Sequence, residues 1–186
     1  MESKKASFLI AMPSLQESLF SKSLILMAEH HSEGALGFIV NHDTGANLAQ
    51  ALRLLDLSSI DGVDLPLLLG GPVQTDFFWL LHEPSARCEG TMLLNQEVYL
   101  SPASSILALP VAERPLIFQA GIGYAGWGPG QLDREIVEGS WWEAELDLKL
   151  LFETPLEKRW PEAFESLGAH VQDLIDPGDT AGPIFN

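Results

Sequence analysis

The residues best suited to chemistry form small groups scattered along the chain. Residues 121–126 read GIGYAG and match the G-x-G-x-x-G pattern of dinucleotide-binding proteins. In that motif the glycines lead directly into a helix that receives the pyrophosphate, whereas here the next helix signal is Pro129. The surrounding sequence also lacks a βαβ pattern. We therefore expect these glycines to serve tight turns and close packing, and we expect no cofactor.

Histidines beside acidic residues are candidates for a metal site. They occur as Glu29-His30-His31, His42-Asp43 and His82-Glu83. Adjacent residues of a strand point to opposite faces, so His30 and His31 cannot both ligate one ion without distortion. The sequence contains neither H-E-x-x-H nor the Cys/His spacing of a zinc site. We predict ordinary strand-end and turn histidines and no metal.

Nucleophilic and acid/base chemistry have weaker signals. No G-x-S-x-G elbow is present, and Cys88 is followed by Glu89, a neighbour that disfavours a reactive thiolate. Glu29 and Glu135 form a candidate acid/base pair. Carboxylates are abundant in this chain, so an unpaired surface position is the default for each. The sequence predicts no catalytic residue.

A ligand site is predicted where glycines are densest. Its residues are Glu29, Asn41, Gly71, Trp127 and Gln131. Glycine permits positive φ and close backbone approach, the polar members are the ones that a core explains least, and Trp127 would form an apolar wall. We expect the turn over residues 126–131 to lie beside the 29–41 hairpin and the 70–71 glycine pair, which together form a shallow groove.

The hydrophobic pattern predicts the elements that position these residues. Strands are predicted over residues 8–12, 23–28, 35–40, 66–69, 76–82, 91–100 and 115–120. Helices are predicted over residues 47–55, 102–109, 129–138 and 154–167, the last with a cap at Thr154 and a kink or break at Pro161. Successive strands joined by short turns require antiparallel pairing. The predicted class is α+β.

Composition favours one cytoplasmic domain. The chain has 186 residues, 46% of them hydrophobic, enough for a core without a disulfide. Its single cysteine agrees with a reducing compartment. The apolar run before Pro13 is shorter than a signal peptide requires, and no run reaches the length of a membrane span. We predict a domain over residues 1–168 and a polar tail over residues 169–186.

The charge of the chain disfavours nucleic acid as a partner. Ten basic residues stand against 26 acidic ones, for a formal charge of −16. Affinity for a phosphate backbone comes largely from Lys and Arg, which are scattered here. We expect a small-molecule or protein partner, with no direct nucleic-acid or membrane binding.

Five stretches together resemble the YqgE/AlgH family of bacterial proteins. They are residues 12–15, 29–41, 70–73, 154–160 and, most specifically, GYAGWGPGQL over residues 123–132. The resemblance implies a single α+β domain in the bacterial cytosol, with a mixed, mostly antiparallel bifurcated sheet folded into a pseudo-barrel with flanking helices. It assigns no biochemical function, although some members carry the label of transcriptional regulators. The chain has Ala28 where members often have Cys, and His42-Asp43 where they often have Arg-Pro.

Three functions follow as hypotheses. The first is a non-enzymatic binding module for a small ligand or a protein partner. The second is an enzyme with an unrecognised carboxylate site, and the third is a transcriptional regulator, which the charge disfavours. A pocket that holds a pKa-shifted group beside an aligned partner would favour an enzyme. A contiguous basic face would favour a regulator.

Overall fold

Strands and helices are interleaved along the chain in an α+β arrangement. The structure, a computed structural model, describes residues 7–15, 18–54 and 65–168. Its strands are β1 (Ser7–Ala11), β2 (Leu24–His31), β3 (Gly34–Ile39), β4 (Asp43–Asn47), β5 (Pro66–Leu69), β6 (Val73–His82), β7 (Met92–Leu93), β8 (Tyr99–Pro102), β9 (Phe118–Trp127) and β10 (Trp141–Glu145). Its helices are α1 (Leu48–Leu54), α2 (Ala103–Leu107), α3 (Gln131–Val137), α4 (Leu148–Phe152) and α5 (Leu156–Glu165), with short 3₁₀ turns at Pro13–Leu15 and Val111–Glu113.

Two predictions concern residues outside the described part of the chain. They are the end of the first helix at residue 55 and the polar tail over residues 169–186. Among the helices of the described part, none combines the length and the hydropathy that a membrane crossing requires.

The sheet divides at β9, the strand that connects its two halves. Strands follow the order β10-β1-β2-β3-β9-β6-β8-β7, while β5 pairs with β9 in parallel and with β4 antiparallel. Residues 125–127 of β9 pair with β3, whereas residues 120–122 pair with both β5 and β6. The sheet is therefore bifurcated and mostly antiparallel, and within the described residues it does not close into a complete barrel.

The glycines of residues 121–126 lie inside β9 and do not form a turn. A Cβ on Gly121 would approach a ring atom of Trp79 to 2.1 Å. Trp79 is fully buried, and its indole N–H donates to the carbonyl of Gly123 at 2.8 Å. The predicted strand over residues 115–120 is therefore too short. Gly121 admits the Trp79 ring, so the expectation of close packing is confirmed. The expected tight turn is absent from residues 121–126 but present just after them, where Gly130 has φ of +65° before α3.

Among the described residues, three apolar clusters fill the spaces around the sheet. The largest lies between the helices α4 and α5 and strands of both halves of the sheet, and it includes Phe8, Leu26, Phe38, Trp79, Leu100, Leu151, Trp160 and Phe164. A second cluster covers the opposite face of β1, β2 and β3, and it includes Leu9, Ile25, Met27, Trp127, Leu132 and Trp141. A third packs α1 and α2 on β5, β6 and β9. The first half of the sheet is thus covered on both faces.

Several local predictions are wrong for identifiable reasons. The predicted strand over residues 91–100 is a hairpin, because the Asn95 side chain accepts the backbone N–H groups of Glu97 and Val98 and turns the chain. The Thr154 side chain does not cap α5 but donates to Glu162, and α5 continues through Pro161 without a break. Asn47 does accept the N–H of Ala49 at the start of α1, as predicted.

A buried arginine joins α5 to the sheet. Arg159 is only 4% exposed. Its Nη1 donates to the Val40 carbonyl after β3 and to Oε1 of Gln119 in β9, and its Nε donates to the Thr154 carbonyl at 2.9 Å. Burial lowers the pKa of Arg159 to about 10, so the guanidinium remains charged at neutral pH. One side chain therefore fixes the position of α5 against two strands.

We expect Arg159→Met to lower the free energy of unfolding by about 3 kcal/mol, measured by urea denaturation. The substitution keeps an apolar stem but leaves two buried carbonyls and an amide oxygen without their donor. Lys158→Met, at the exposed neighbouring position of α5, serves as the control and should change stability by less than about 0.5 kcal/mol. Equal losses in the two variants would contradict this role of Arg159.

Candidate functional site

Helix α3 covers one face of the sheet through a group that we call the tryptophan–carboxylate cluster: Trp127, Gln131, Glu135 and Trp141. Oε2 of Glu135 accepts the indole N–H of Trp127 at 2.9 Å and that of Trp141 at 2.8 Å. Oε1 accepts the amide of Gln131 at 2.8 Å. Both carboxylate oxygens and both indole donors are thereby satisfied within the protein.

The local sequence builds this cluster without a ligand. Oε1 of Gln131 accepts the backbone N–H of Gly128 at 3.1 Å and so orients its own amide toward Glu135. Phe20 stacks on Trp127 with ring centroids 6.4 Å apart and meets the edge of Trp141 at 5.6 Å. Trp127 is 7% exposed. The predicted apolar wall of an open groove is therefore wrong for Trp127, which is a core side chain.

Glu29 does not join this cluster, because a β-bulge turns it to the other face. Glu29 pairs with Leu36, which pairs with Gly126, whereas His30 pairs with Ala35, which pairs with Trp127. Residues directly opposite each other share a face, and successive pairs alternate. The register shift between Met27 and Glu29 leaves Ala28 as the additional residue. Glu29 and Trp127 thus face opposite sides of the sheet.

The same bulge places His30, rather than Glu29, beside α3. Nε2 of His30 lies 3.0 Å from Oδ1 of Asp133, while His31 lies 3.5 Å from Glu29. Because Glu29 is on the face opposite α3, it is not paired with Glu135, and the candidate acid/base pair is wrong. Among the described residues, no group of three or more His, Cys, Asp or Glu side chains converges as a metal site requires.

Asn41 and Gly71 have structural roles away from α3. The Asn41 side chain accepts the N–H of Leu24 at 2.7 Å and donates to the Lys22 carbonyl at 2.8 Å, which closes the end of the β2–β3 pair remote from the hairpin turn. Gly71 has φ of +153°, and a Cβ there would lie 2.2 Å from the Tyr124 carbonyl. The expected close approach is present, but the five predicted residues do not line one groove.

A cavity that the sequence did not reveal lies under α4 and α5. Its volume is about 210 Å³. It is lined by Phe8, Ala144, Glu145, Asp147, Lys149, Leu150, Thr154, Glu162, Ala163 and Ser166. These residues come from β1, from β10, from Asp147 at the start of α4, from α4 itself, from the loop before α5, and from α5 with the residue after it. Asp147 is the lining residue with a local sequence signal, because it caps α4 by accepting the N–H groups of Lys149 and Leu150. Recognising this cap would have predicted α4, one of the helices that form the cavity.

The titratable side chains whose pKa values are displaced do not line this cavity. Burial lowers the pKa of His82, whose ring contacts the Glu83 carbonyl at 2.7 Å and Oγ of Ser101 at 2.9 Å. Burial also lowers the pKa of His42. Although burial by itself raises the pKa of Glu83, hydrogen bonds from Ser85 and from backbone N–H groups outweigh it and lower the value. His82 and Ser101 resemble a histidine–serine pair, but both are fully buried and inaccessible to a substrate.

We expect Trp127→Ala to lower the free energy of unfolding by about 3–5 kcal/mol, since it removes a buried aromatic ring and one donor to Glu135. Chemical denaturation measures the loss. Trp142→Ala is the matched control because Trp142 is 53% exposed, and it should cost less than about 1 kcal/mol. A Trp127→Ala protein of wild-type stability would show that Trp127 is not part of the core.

We expect the protein to lose stability as the pH falls from about 7 to 5. His42 and His82 have lowered pKa values in the folded state, so the unfolded chain takes up protons first, near the ordinary histidine pKa of about 6.5. Thermal denaturation as a function of pH measures this dependence.

His82→Gln should flatten this profile, and His42→Gln provides a second variant if the first folds poorly. His31→Gln, which replaces an exposed histidine of the hairpin, is the control. A wild-type stability that rises on acidification would contradict the assignment of neutral, buried histidines.

The chain is similar in sequence to bacterial proteins called UPF0301. The chain is 38% identical over 173 residues to a UPF0301 protein of Dechloromonas aromatica, an alignment that covers 91% of this chain and 93% of the relative. It is 37% identical over 170 residues to a UPF0301 protein of Methylococcus capsulatus, with 90% of each chain covered.

Solved structures of bacterial proteins also match the fold of this chain. The solution structure of the AlgH protein from Pseudomonas aeruginosa matches with a TM-score of 0.75 and 32% identity, covering 95% of each chain. A crystal structure of the protein DIP2367 from Corynebacterium diphtheriae matches with a TM-score of 0.70 over 86% of this chain and 85% of that one, but at 19% identity it supports the fold alone. A sequence model described as AlgH-like matches residues 8–172. The chain belongs to the AlgH-like family.

Proposed function

We propose that this protein is a non-enzymatic binding module and that the cavity under α4 and α5 receives a small ligand or one side chain of a protein partner. The observation that carries the proposal is the cavity itself, whose lining combines apolar and polar residues. Phe8, Leu150 and Ala163 contribute buried apolar surface. Binding pockets typically combine such a surface with a few polar groups that orient the ligand.

The placement of the titratable groups favours binding over catalysis. His42, His82, Glu83 and Arg159, whose pKa values are displaced, do not line the cavity. A catalytic pocket usually holds such a group beside an aligned partner. The alternative of an enzyme with a carboxylate site therefore has less support, because Glu29 and Glu135 lie on opposite faces of the sheet.

The distribution of charge disfavours the regulator hypothesis in its direct form. The formal charge is −16. Apart from the adjacent Lys158 and Arg159 of α5, the basic residues of the described part are separated along the chain, with Arg53 on α1, Arg134 on α3 and Lys149 on α4 among them. Arg159 is buried. We therefore propose no direct contact with nucleic acid, since such contact depends on clustered Lys and Arg.

The proposal places the protein in the bacterial cytosol, without a cofactor or a metal ion as part of its function. Its single cysteine, Cys88, is ordinary for a reducing compartment. A binding module there would take a metabolite or a protein segment from the cytosol.

A thermal-shift screen of metabolites with two α5 variants tests the proposal. Ser166→Trp introduces an indole at a residue that lines the cavity, and Glu165→Trp introduces the same group at an exposed neighbour outside the lining. A ligand at 100 times its Kd stabilises the folded state by about 2.7 kcal/mol, which raises Tm by roughly 5–10 °C. We expect this rise in the wild type and in Glu165→Trp, but not in Ser166→Trp. Failure of every compound, or an undiminished response in Ser166→Trp, would contradict the proposal.

A further inference from the structure

Strand β10 forms a regular outer edge of the sheet. It pairs with β1 over all five of its residues without a register shift, and within residues 7–15, 18–54 and 65–168 no second strand pairs with it. The other edges are less regular, since β7 has only two residues and the pairing of β4 with β5 contains a register shift. Natural edge strands are often blocked by Pro, by Lys or by a bulge. β10 has none of these.

The hydrogen bonds of β1 fix the direction in which the backbone of β10 points. The N–H of Met12 donates to the Ser140 carbonyl at 3.0 Å, and these two residues continue the register of the β1–β10 pair. Hydrogen-bonded pairs alternate with non-bonded pairs along an antiparallel ladder. The even-numbered residues of β10 therefore direct their N–H and C=O groups toward β1, whereas Glu143 and Glu145 direct theirs away from the sheet.

The pairing of β1 with β2 gives the same alternation. The N–H of Ala11 donates to the Ser23 carbonyl at 2.9 Å, so the odd-numbered residues of β1 bond to β2 and the even-numbered ones bond to β10. Among the described residues, nothing forms a hydrogen bond with the outward backbone groups of Glu143 and Glu145. This edge thus presents donors and acceptors at the spacing that an added strand requires.

The side chains of β10 give the two faces of this edge different chemistry. Glu143 pairs with Leu9, so it lies on the α3 face together with Glu145, and both carboxylates are exposed. Trp142 pairs with Ile10 on the opposite face and is 53% exposed. A strand added to this edge would therefore meet two carboxylates on one face and an indole on the other.

These charges disfavour a second copy of the chain as the occupant of the edge. Antiparallel self-pairing centred on Glu143 or on Ala144 places a glutamate directly opposite a glutamate of the second copy, and like charges in that position are destabilising. Self-pairing centred on Trp142 avoids this contact but limits the paired segment to residues 141–143 of each strand. A segment with Lys or Arg opposite the two glutamates has neither disadvantage.

We propose that the outer edge of β10 binds an extended, basic segment of a partner protein, which adds to the sheet as an antiparallel strand. Its backbone pairs with the outward groups of Glu143 and Glu145, and two Lys or Arg side chains, two residues apart, lie opposite these carboxylates. Apolar side chains at the alternate positions contact Trp142. In strand addition the main-chain hydrogen bonds supply affinity, and the alternating side chains supply specificity. This inference goes beyond the proposed function, because strand addition at the edge does not require an occupied cavity.

NMR titration of the ¹⁵N-labelled full-length protein with acetyl-Thr-Lys-Val-Lys-Val-Thr-amide tests the proposal. We expect the backbone amide signals of Glu143 and Glu145 to shift most, since their N–H groups gain acceptors. N-methylation of the two lysine nitrogens should weaken binding about tenfold, because it removes the donors that face β10. N-methylation of the two valine nitrogens, which face away, should preserve binding. The acidic analogue acetyl-Thr-Glu-Val-Glu-Val-Thr-amide should not bind at the same concentrations.

Variants of β10 locate the site on the protein. Glu143→Pro removes an outward N–H without the loss of a hydrogen bond to β1, a position at which edge strands tolerate proline, and it should weaken binding about tenfold. Glu143→Lys should have a similar effect, because it places a like charge opposite a lysine of the peptide. Glu113→Lys is the matched control, since it changes the net charge equally at an exposed position of the 3₁₀ turn over Val111–Glu113, and it should bind the peptide as the wild type does.

Several results would overturn the proposal. They are no shift with the basic peptide, equal binding of the basic and acidic peptides, equal losses on methylation of the lysine and valine nitrogens, and equal losses in Glu143→Lys and Glu113→Lys. A dimer in sedimentation velocity that Glu143→Pro abolishes would assign the edge to a second copy instead. Ser166→Trp, which alters the cavity, should still bind the peptide. Loss of binding in that variant would place the peptide in the cavity, so that the edge proposal fails while the proposed function stands.

Discussion

The buried guanidinium of Arg159 ties α5 to the sheet, and it is the interaction on which the placement of α4 and α5 depends most. Burying this cation costs free energy, which is recovered only when its hydrogen-bond acceptors are in place. Those acceptors come from the end of β3, from β9 and from the loop before α5. Gln119, one of the acceptors, also donates to the Leu151 carbonyl in α4. The positions of α4 and α5 are therefore coupled to both branches of the divided sheet.

The two faces of the β1–β2–β3 half are organised differently. On the α3 face, polar groups are paired with one another: Glu135 holds two indoles and an amide, and His30 contacts Asp133. Such a fully satisfied network rigidifies a core and leaves little capacity for a ligand. On the α4–α5 face, by contrast, the residues that line the cavity include the exposed polar side chains of Glu145, Asp147 and Glu162. The buried polar network of the α3 face is thus a structural cluster, and the cavity on the α4–α5 face is the candidate binding site.

The sequence predicted the strands and helices that have strong local signals. It did not predict the features that depend on contacts between residues distant in the chain. The β2–β3 hairpin, α1 with its Asn47 cap and α3 follow from periodicity and capping residues. The bulge at Ala28 has no local signal, yet it decides which of Glu29 and His30 faces α3. Trp127 lies between two glycines, which in the sequence indicated an exposed aromatic, but its burial depends on Phe20 and Glu135. The cavity needs β1, β10, α4 and α5 together, and both β10 and α4 were absent from the predicted elements.

We propose that ligands bind at the α4–α5 cavity and not at the α3 face. Two-dimensional amide and indole NMR of the ¹⁵N-labelled protein tests this proposal, by titration with the compound that stabilises the protein most. We expect the backbone amide signals of Ala144, Leu150 and Ala163 to shift with a common Kd, while the indole N–H signals of Trp127 and Trp141 stay in place. Shifts concentrated at those two indoles and at the Gln131 amide, with the cavity signals unmoved, would contradict it.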